Sequence, residues 1–178
     1  GPARLEITDG RVRARVLTVA AFAPNVPSLT PSVVEMAGGF LTVTDAVVIG
    51  NLDEATGTAG TLGLVDVQGG GRLEVTAVQG LVSVDNGELV VTGTDFGVPS
   101  LLHVAQLELL SGTVAVRDGA RAEIDEGYIT GAPLADPVLE VRDATVQVAT
   151  ALDVGDASDA TRRGRVQLAG TALVAVGR

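Results

Sequence analysis

LEITDGRVRARVLTVA at residues 5–20 and LEVRDATVQVATALDVG at residues 139–155 are two versions of one design. Each opens with two apolar residues flanking a polar one, turns at a short stretch holding Asp or Gly, and resumes the alternation. A third apolar pair then follows, Leu17 with Val19 in the first and Leu152 with Val154 in the second. Alternation with period two buries one face of a strand, and the small or polar residue between runs supplies a backbone bend that a branched side chain resists. Three short strands joined by two corners make one turn of a triangular coil.

Further copies begin at Val34 (VEMAGGFLTV), Val65 (VDVQGGGRLEV), Val82 (VSVDNGELVV), Leu107 (LELLSGTVAV) and Val166 (VQLAGTALVAV), with a weaker one at Ala122. In the copy at Val166 either Leu173 or Val174 can be the inward residue. Starts at 5, 34, 65, 82, 107, 139 and 166 are separated by 29, 31, 17, 25, 32 and 27 residues, so the core is regular and the connections vary. Val47 with Ile49 forms another third strand, and IGNLDEAT from Ile49 matches VGDASDAT from Val154. A lone coil cannot bury its inward Val and Leu, whereas stacked coils bury them continuously. The expectation is all-β: a right-handed parallel β-helix, or β-solenoid, of roughly six to seven irregular coils. Its handedness follows the general chirality of parallel crossovers.

Composition agrees. Of 178 residues 46% are hydrophobic, yet aromatics are confined to Phe22, Phe40, Phe96 and Tyr128, so the core must be built from aliphatic side chains in rows. The 23 glycines punctuate apolar runs as turns do. No stretch shows a helical period. Residues 1–178 read as a single solenoid domain and a segment of a longer protein. The leading Gly1-Pro2 looks like the scar of a protease cleavage, and neither end carries a polar cap. End-to-end self-association is therefore an expectation.

A formal charge of −10 argues against nucleic-acid partners and anionic membranes, and no apolar run is long enough to span a bilayer. Every basic residue is Arg, which excludes lysine Schiff-base and P-loop chemistry; the absence of Cys excludes disulfides and thiolate metal sites.

The Gly-punctuated units at residues 46–77 and 151–178 resemble repeats of autotransporter passengers and of surface proteins with PEP-CTERM sorting signals. The resemblance implies a bacterial, secreted or surface-displayed solenoid that acts as stalk, scaffold or adhesin, with an extracellular or cell-surface location.

Residues that could carry chemistry are few. No catalytic set is expected, and no cofactor beyond a weakly indicated calcium ion. The acidic loops after third strands hold Asn51, Asp53 and Glu54 in one case and Asp156, Ser158 and Asp159 in the other; stacked on one edge, Asp53, Glu54, Asp156 and Asp159 could offer oxygens to calcium, but neither loop has an EF-hand or GGxGxD signature and solvated turns are the default reading. His103 alternates with Leu102 and Val104 and is expected on the surface. Arg117, Asp118, Arg121, Glu123, Asp125 and Glu126 crowd one stretch, the composition a polysaccharide-cleaving groove needs and also the one that outward strand positions require. Arg4, Arg11, Arg13 and Arg15 form one basic group and Arg162, Arg163 and Arg165 another. An anionic glycan or acidic protein could dock on such a cluster, and a loop that needs charge for solubility would look the same. Pro24, Pro27 and Pro31 lie in a long connection suited to recognition. Thr42 with Thr44 and Thr92 with Thr94 are pairs, too few for an ice-binding ladder. Tyr128 is the expected outward aromatic for sugar stacking. A protein or glycan partner is expected without being specified; the readings are a non-catalytic structural or interaction module, a carbohydrate-binding or carbohydrate-active helix, and a filament former.

Overall fold

A computed structural model describes residues 2–20, 30–50, 62–131, 135–156, 158–159 and 161–177. The chain is an all-β parallel solenoid, and no helix occurs among these residues. Coil 1 is β1 (Arg4–Ile7) and β2 (Arg11–Val19); coil 2 is β3 (Ser32–Ala37) and β4 (Phe40–Ile49). Coil 3 is broken into β5 (Gly63–Gln68), β6 (Arg72–Val75) and β7 (Leu81–Val84). Coil 4 holds β8 (Gly87–Thr92), the short pair β9 (Thr94–Asp95) and β10 (Val98–Pro99), and β11 (Leu101–Leu109). Coil 5 is β12 (Gly112–Arg117) and β13 (Arg121–Ile129), coil 6 is β14 (Val138–Arg142) and β15 (Thr145–Val154), and β16 (Arg165–Ala169) with β17 (Leu173–Val176) form a last, two-strand rung.

Each long strand bends round a corner, so the coil has three sides. Side 1 is the seven-stranded sheet β1-β3-β5-β8-β12-β14-β16. The first halves of the long strands, with β6 and β17, form side 2, and the second halves, with β7, form side 3. Bulges mark the bend: Arg15 stands against Thr44 and Asp45, and Asp125 against Ala149 and Thr150. The coil count differs slightly from the expected six to seven. Five coils have the regular short-plus-long pattern (those of β2, β4, β11, β13 and β15), one is broken and the last is incomplete.

Strand pairing also corrects the repeat register. The side 1 residues that stack in line are Leu5, Val34, Val65, Leu89, Val114, Leu139 and Val166. Their steps are 29, 31, 24, 25, 25 and 27 residues, and the anomalous step of 17 disappears. The copies at Val82 and Leu107 straddle the corner from side 3 to side 1, and the weak copy at Ala122 straddles the corner from side 2 to side 3. Apolar alternation looks alike round every corner, so position on the coil was lost when three kinds of corner were aligned as one. The third strands expected at Leu17, Val47 and Leu152 occur, joined by those at Val82, Leu107 and Gly127. In the last rung Val174 faces inward, in line with Val146, and Leu173 stacks on Thr145 outside.

The core is a set of vertical columns. On side 1, Val67, Val91, Val116 and Val141 are fully buried one above another; on side 2, Leu73, Leu102, Ala122 and Val146 are; and on side 3, Ile49, Val84, Leu109 and Ile129 are. These aliphatic residues fill the triangular interior with no ring among them, as the shortage of aromatics requires.

Corners are set by residues able to take a left-handed backbone. Gly10, Gly38, Gly39, Gly69, Asp118, Asp143 and Gly170 have positive φ at the corner from side 1 to side 2; Gly50, Asn86, Gly112, Gly131 and Gly155 do at the corner from side 3 to side 1. At Gly112 the demand is double, because φ is +91° and a Cβ would overlap the carbonyl oxygen of Gly87 on the coil below. Gly112→Ala is therefore expected to cost about 3 kcal/mol or more, by strain plus clash, and to lower the thermal midpoint by roughly 6–12 °C in a domain of this size. Gly93→Ala, at a positive φ with open space around it, should cost less. Thermal unfolding of both variants, followed by circular dichroism, tests this order.

Candidate functional site

Three regions could present chemistry: the loop edge, the outward faces and a cleft under a hairpin.

At the loop edge, the corner from side 3 to side 1, connection length varies most. Two connections have only residues 85–86 and 110–111, whereas others take residues 20–31, 50–62, 130–137 and 155–164. Ser111 ties the two tight corners together, its hydroxyl donating to Asp85 Oδ1 at 3.0 Å and accepting from the Asn86 amide at 2.6 Å. Beside these tight corners, next to Pro31 and Leu62, lies a trench of about 350 Å³ floored by Gly63, Gly87 and Gly112, whose missing side chains let successive coils approach.

The acidic loop of coil 6 uses its carboxylates internally. Asp156 Oδ1 accepts from the Ser158 amide at 2.8 Å and hydroxyl at 2.6 Å, and Asp159 Oδ1 accepts from the Thr161 amide at 2.9 Å and hydroxyl at 2.6 Å. Those bonds hold both carboxyls below the usual carboxylate range. Arg162 Nε lies 3.6 Å from Asp159 Oδ2. Asp53 and Glu54, the other residues expected at a calcium site, lie outside the described residues, as do Asn51, Pro24 and Pro27. The described residues from which the two loops leave the stack, Gly50 on coil 2 and Gly155 on coil 6, are four strand spacings or about 19 Å apart. Among the described residues no three His, Asp or Glu side chains form a group able to hold a metal ion.

The outward faces carry stacked polar rows. His103 is exposed on side 2 between Glu74 and Glu123 of the adjacent coils, as its alternation with Leu102 and Val104 predicts. The crowded acidic and basic stretch of residues 117–126 does not converge. Arg117 is on side 1 and bonds Glu140 at 2.6 Å, Asp118 is at the next corner 3.3 Å from Arg142, Arg121 and Glu123 pair on side 2 at 2.8 Å, Asp125 is at the second corner, and Glu126 on side 3 accepts from Tyr128 Oη at 2.8 Å. Neighbours in sequence are wrapped round the rod to different faces. The N-terminal arginines are similarly dispersed: Arg4 pairs with Glu35, Arg15 Nε lies 2.6 Å from Asp45, and Arg11 stacks 5.0 Å from the Phe40 ring centre. Thr42 stacks between Arg13 and Glu74, so no threonine ladder forms on that row.

One outward row is strained by like charge. Glu6, Glu35 and Asp66 stack in register on β1, β3 and β5; on β8 the row continues at Val90, and Glu88 stands two residues away opposite Leu64. Burial, then Glu35 and Glu88, pushes the Asp66 carboxyl above its ordinary range, and its Oδ1 is buried without a hydrogen-bond partner.

Sequence reasoning missed the cleft at the corner from side 1 to side 2. The other coils make this corner with a few residues, whereas coil 4 spends residues 93–100 and folds Thr94 to Pro99 into an antiparallel hairpin. The hairpin overhangs the corners of coils 1–3 and encloses about 460 Å³ between Asp95, Phe96 and Val98 above and Thr8, Asp9 and the corner glycines below. Phe96 is 101% exposed at its tip. TDFGVP breaks the Gly-centred corner pattern, and that break is the signal that could have located it.

With this geometry, no family model, curated protein or solved structure matches the chain.

Because the native fold raises the Asp66 carboxyl, folded protein binds its proton more readily than unfolded chain does; stability rises as pH falls through that titration and is reduced above it. Asp66→Asn, which mimics the protonated form, should raise the thermal midpoint at pH 7 by about 2 °C after allowance for solvent screening. The gain should shrink as the pH is lowered through the carboxylate range, and thermal melts across that range check it.

Proposed function

We propose that the chain is a structural and interaction module, a secreted or surface-displayed segment whose rigid core holds binding surfaces in place and performs no reaction itself. The single observation that carries this reading is where length variation falls: the apolar columns keep register through every coil while the connections at one corner range from two residues to the spans 20–31 and 50–62. Such a division of labour, constant core and variable edge, is what a scaffold needs to diversify contacts without losing stability. The outward side chains support it, since those at residues 117–126 are spread over all three sides. Display outside a bacterial cell rests on the resemblance to passenger and PEP-CTERM repeats. Antibodies against the folded chain should label intact source cells, and external protease should remove the label; labelling only after permeabilisation would count against display.

The apolar face of β16 and β17 favours a second reading, assembly through that face. Leu168 and Val176 occupy inward columns yet are 57% and 48% exposed. Exposed strand edges over an apolar face template further pairing. Sedimentation over a hundred-fold concentration range should show growth for the native chain and much less for Leu168→Lys, whose charge would sit on the joining face. A strict monomer at all concentrations would remove this reading.

A further inference from the structure

We propose that the cleft beneath the Thr94–Pro99 hairpin binds a neutral sugar chain, with the Phe96 ring as stacking platform and Asp9 and Asp95 as acceptors for sugar hydroxyls. This deepens the interaction-module reading and rests on it.

The hairpin is a built feature. It is an antiparallel two-stranded element in a parallel stack, Thr94 pairing with Pro99 and Asp95 with Val98. Its base is fixed from both sides: the Ser100 amide donates to Gly93 O at 3.0 Å, and the fully buried Ser100 hydroxyl accepts from the Gly70 amide at 3.1 Å. Coils on either side are trimmed to admit it. A Cβ at Gly70 would lie 3.2 Å from Asp95 Cβ, and one at Gly119 would lie 3.1 Å from Thr94 Cγ2.

At the tip Phe96 has φ of +47° and Gly97 +81°. Two successive positive φ values make a tight hairpin turn that favours Asn-Gly; a bulky aromatic in the first position is strained and, here, wholly in solvent. Neither packing nor backbone preference explains a Phe there. Phe40 makes the contrast, its ring flanked by Arg11 at 5.0 Å and Arg72 at 5.7 Å. Tyr128, the expected sugar platform, is half-buried and hydrogen-bonded to Glu126.

The chemistry of the walls selects the ligand. An exposed aromatic face accepts the C–H face of a pyranose, while carboxylates and the Thr8 hydroxyl suit its hydroxyl groups. Asp9 and Asp95, on a chain of charge −10, repel anionic polymers. The volume lies within the range of small-ligand sites.

Native electrophoresis through gels containing hydroxyethyl cellulose, xyloglucan, galactomannan or polygalacturonate tests the proposal. At least one neutral polymer should retard the full chain. Phe96→Ala should weaken that retardation about ten-fold with an unchanged circular dichroism spectrum, Asp95→Asn should weaken it, and Tyr128→Phe should leave it intact. Phe96→Gly, which relieves the turn, should behave as Phe96→Ala and guards against a folding defect. Retardation by no neutral polymer, retention of binding in both Phe96 variants, or stronger retardation by polygalacturonate overturns the assignment. Cell labelling is independent of these gels, so loss of the sugar site and loss of surface display would be told apart.

Discussion

Vertical alignment of aliphatic side chains is the constraint on which everything else here depends. Parallel pairing between coils closes only if each inward residue sits over its counterpart, because a slip of one residue would turn the inward set to solvent. The columns through Val67, Val91, Val116 and Val141 and their equivalents on the other sides meet that condition. Each coil covers the inward residues of the next, which is why connections can lengthen or contract while the strands cannot move.

Corners follow from the columns. To bring three inward faces round a narrow aliphatic interior the chain must turn within a few residues; left-handed Gly, Asn or Asp does this at two corners and a bulge marks the third. Side chains then lock neighbouring corners: Thr92 donates to Asp118, the Thr171 amide and hydroxyl donate to Asp143, and Ser111 bridges to Asp85. Outer rows pair opposite charges across coils, as Arg117 does with Glu140, whereas Asp66 is pushed up first by burial and then by Glu35 and Glu88. Where a corner is lengthened, as by the Thr94–Pro99 hairpin, the neighbouring coils lose side chains to accommodate it.

Much of this was legible in the sequence because its signal is periodic. Alternation plus Gly gave parallel coils, the third strands at Leu17, Val47 and Leu152, and an outward His103. Register was less legible: VSVDNGELVV and LELLSGTVAV have the same alternation as LEITDGRVRA, although they turn a different corner, and only strand pairing tells them apart. Side-chain convergence was not legible at all. The stretch from Arg117 to Glu126 looks like a cluster when read along the chain and is distributed over three faces when wound. Phe96 was passed over in favour of Tyr128, since exposure at a hairpin tip depends on a corner insertion whose geometry no alternation pattern encodes.

The central claim, in-register stacking with one coil per strand spacing, can be measured directly because the chain has no native cysteine. Glu6, Glu35, Glu140 and Gln167 lie on one outward row of side 1, on coils 1, 2, 6 and 7. Spin labels on paired cysteines at 35 and 140, 6 and 140, and 6 and 167 span four, five and six spacings. Pulsed dipolar spectroscopy should give backbone separations of about 19, 24 and 29 Å after allowance for the label linkers, rising by about 4.8 Å per coil. Separations that fail to rise in equal steps, or that put residues 35 and 140 beyond about 30 Å, would contradict the stacked solenoid.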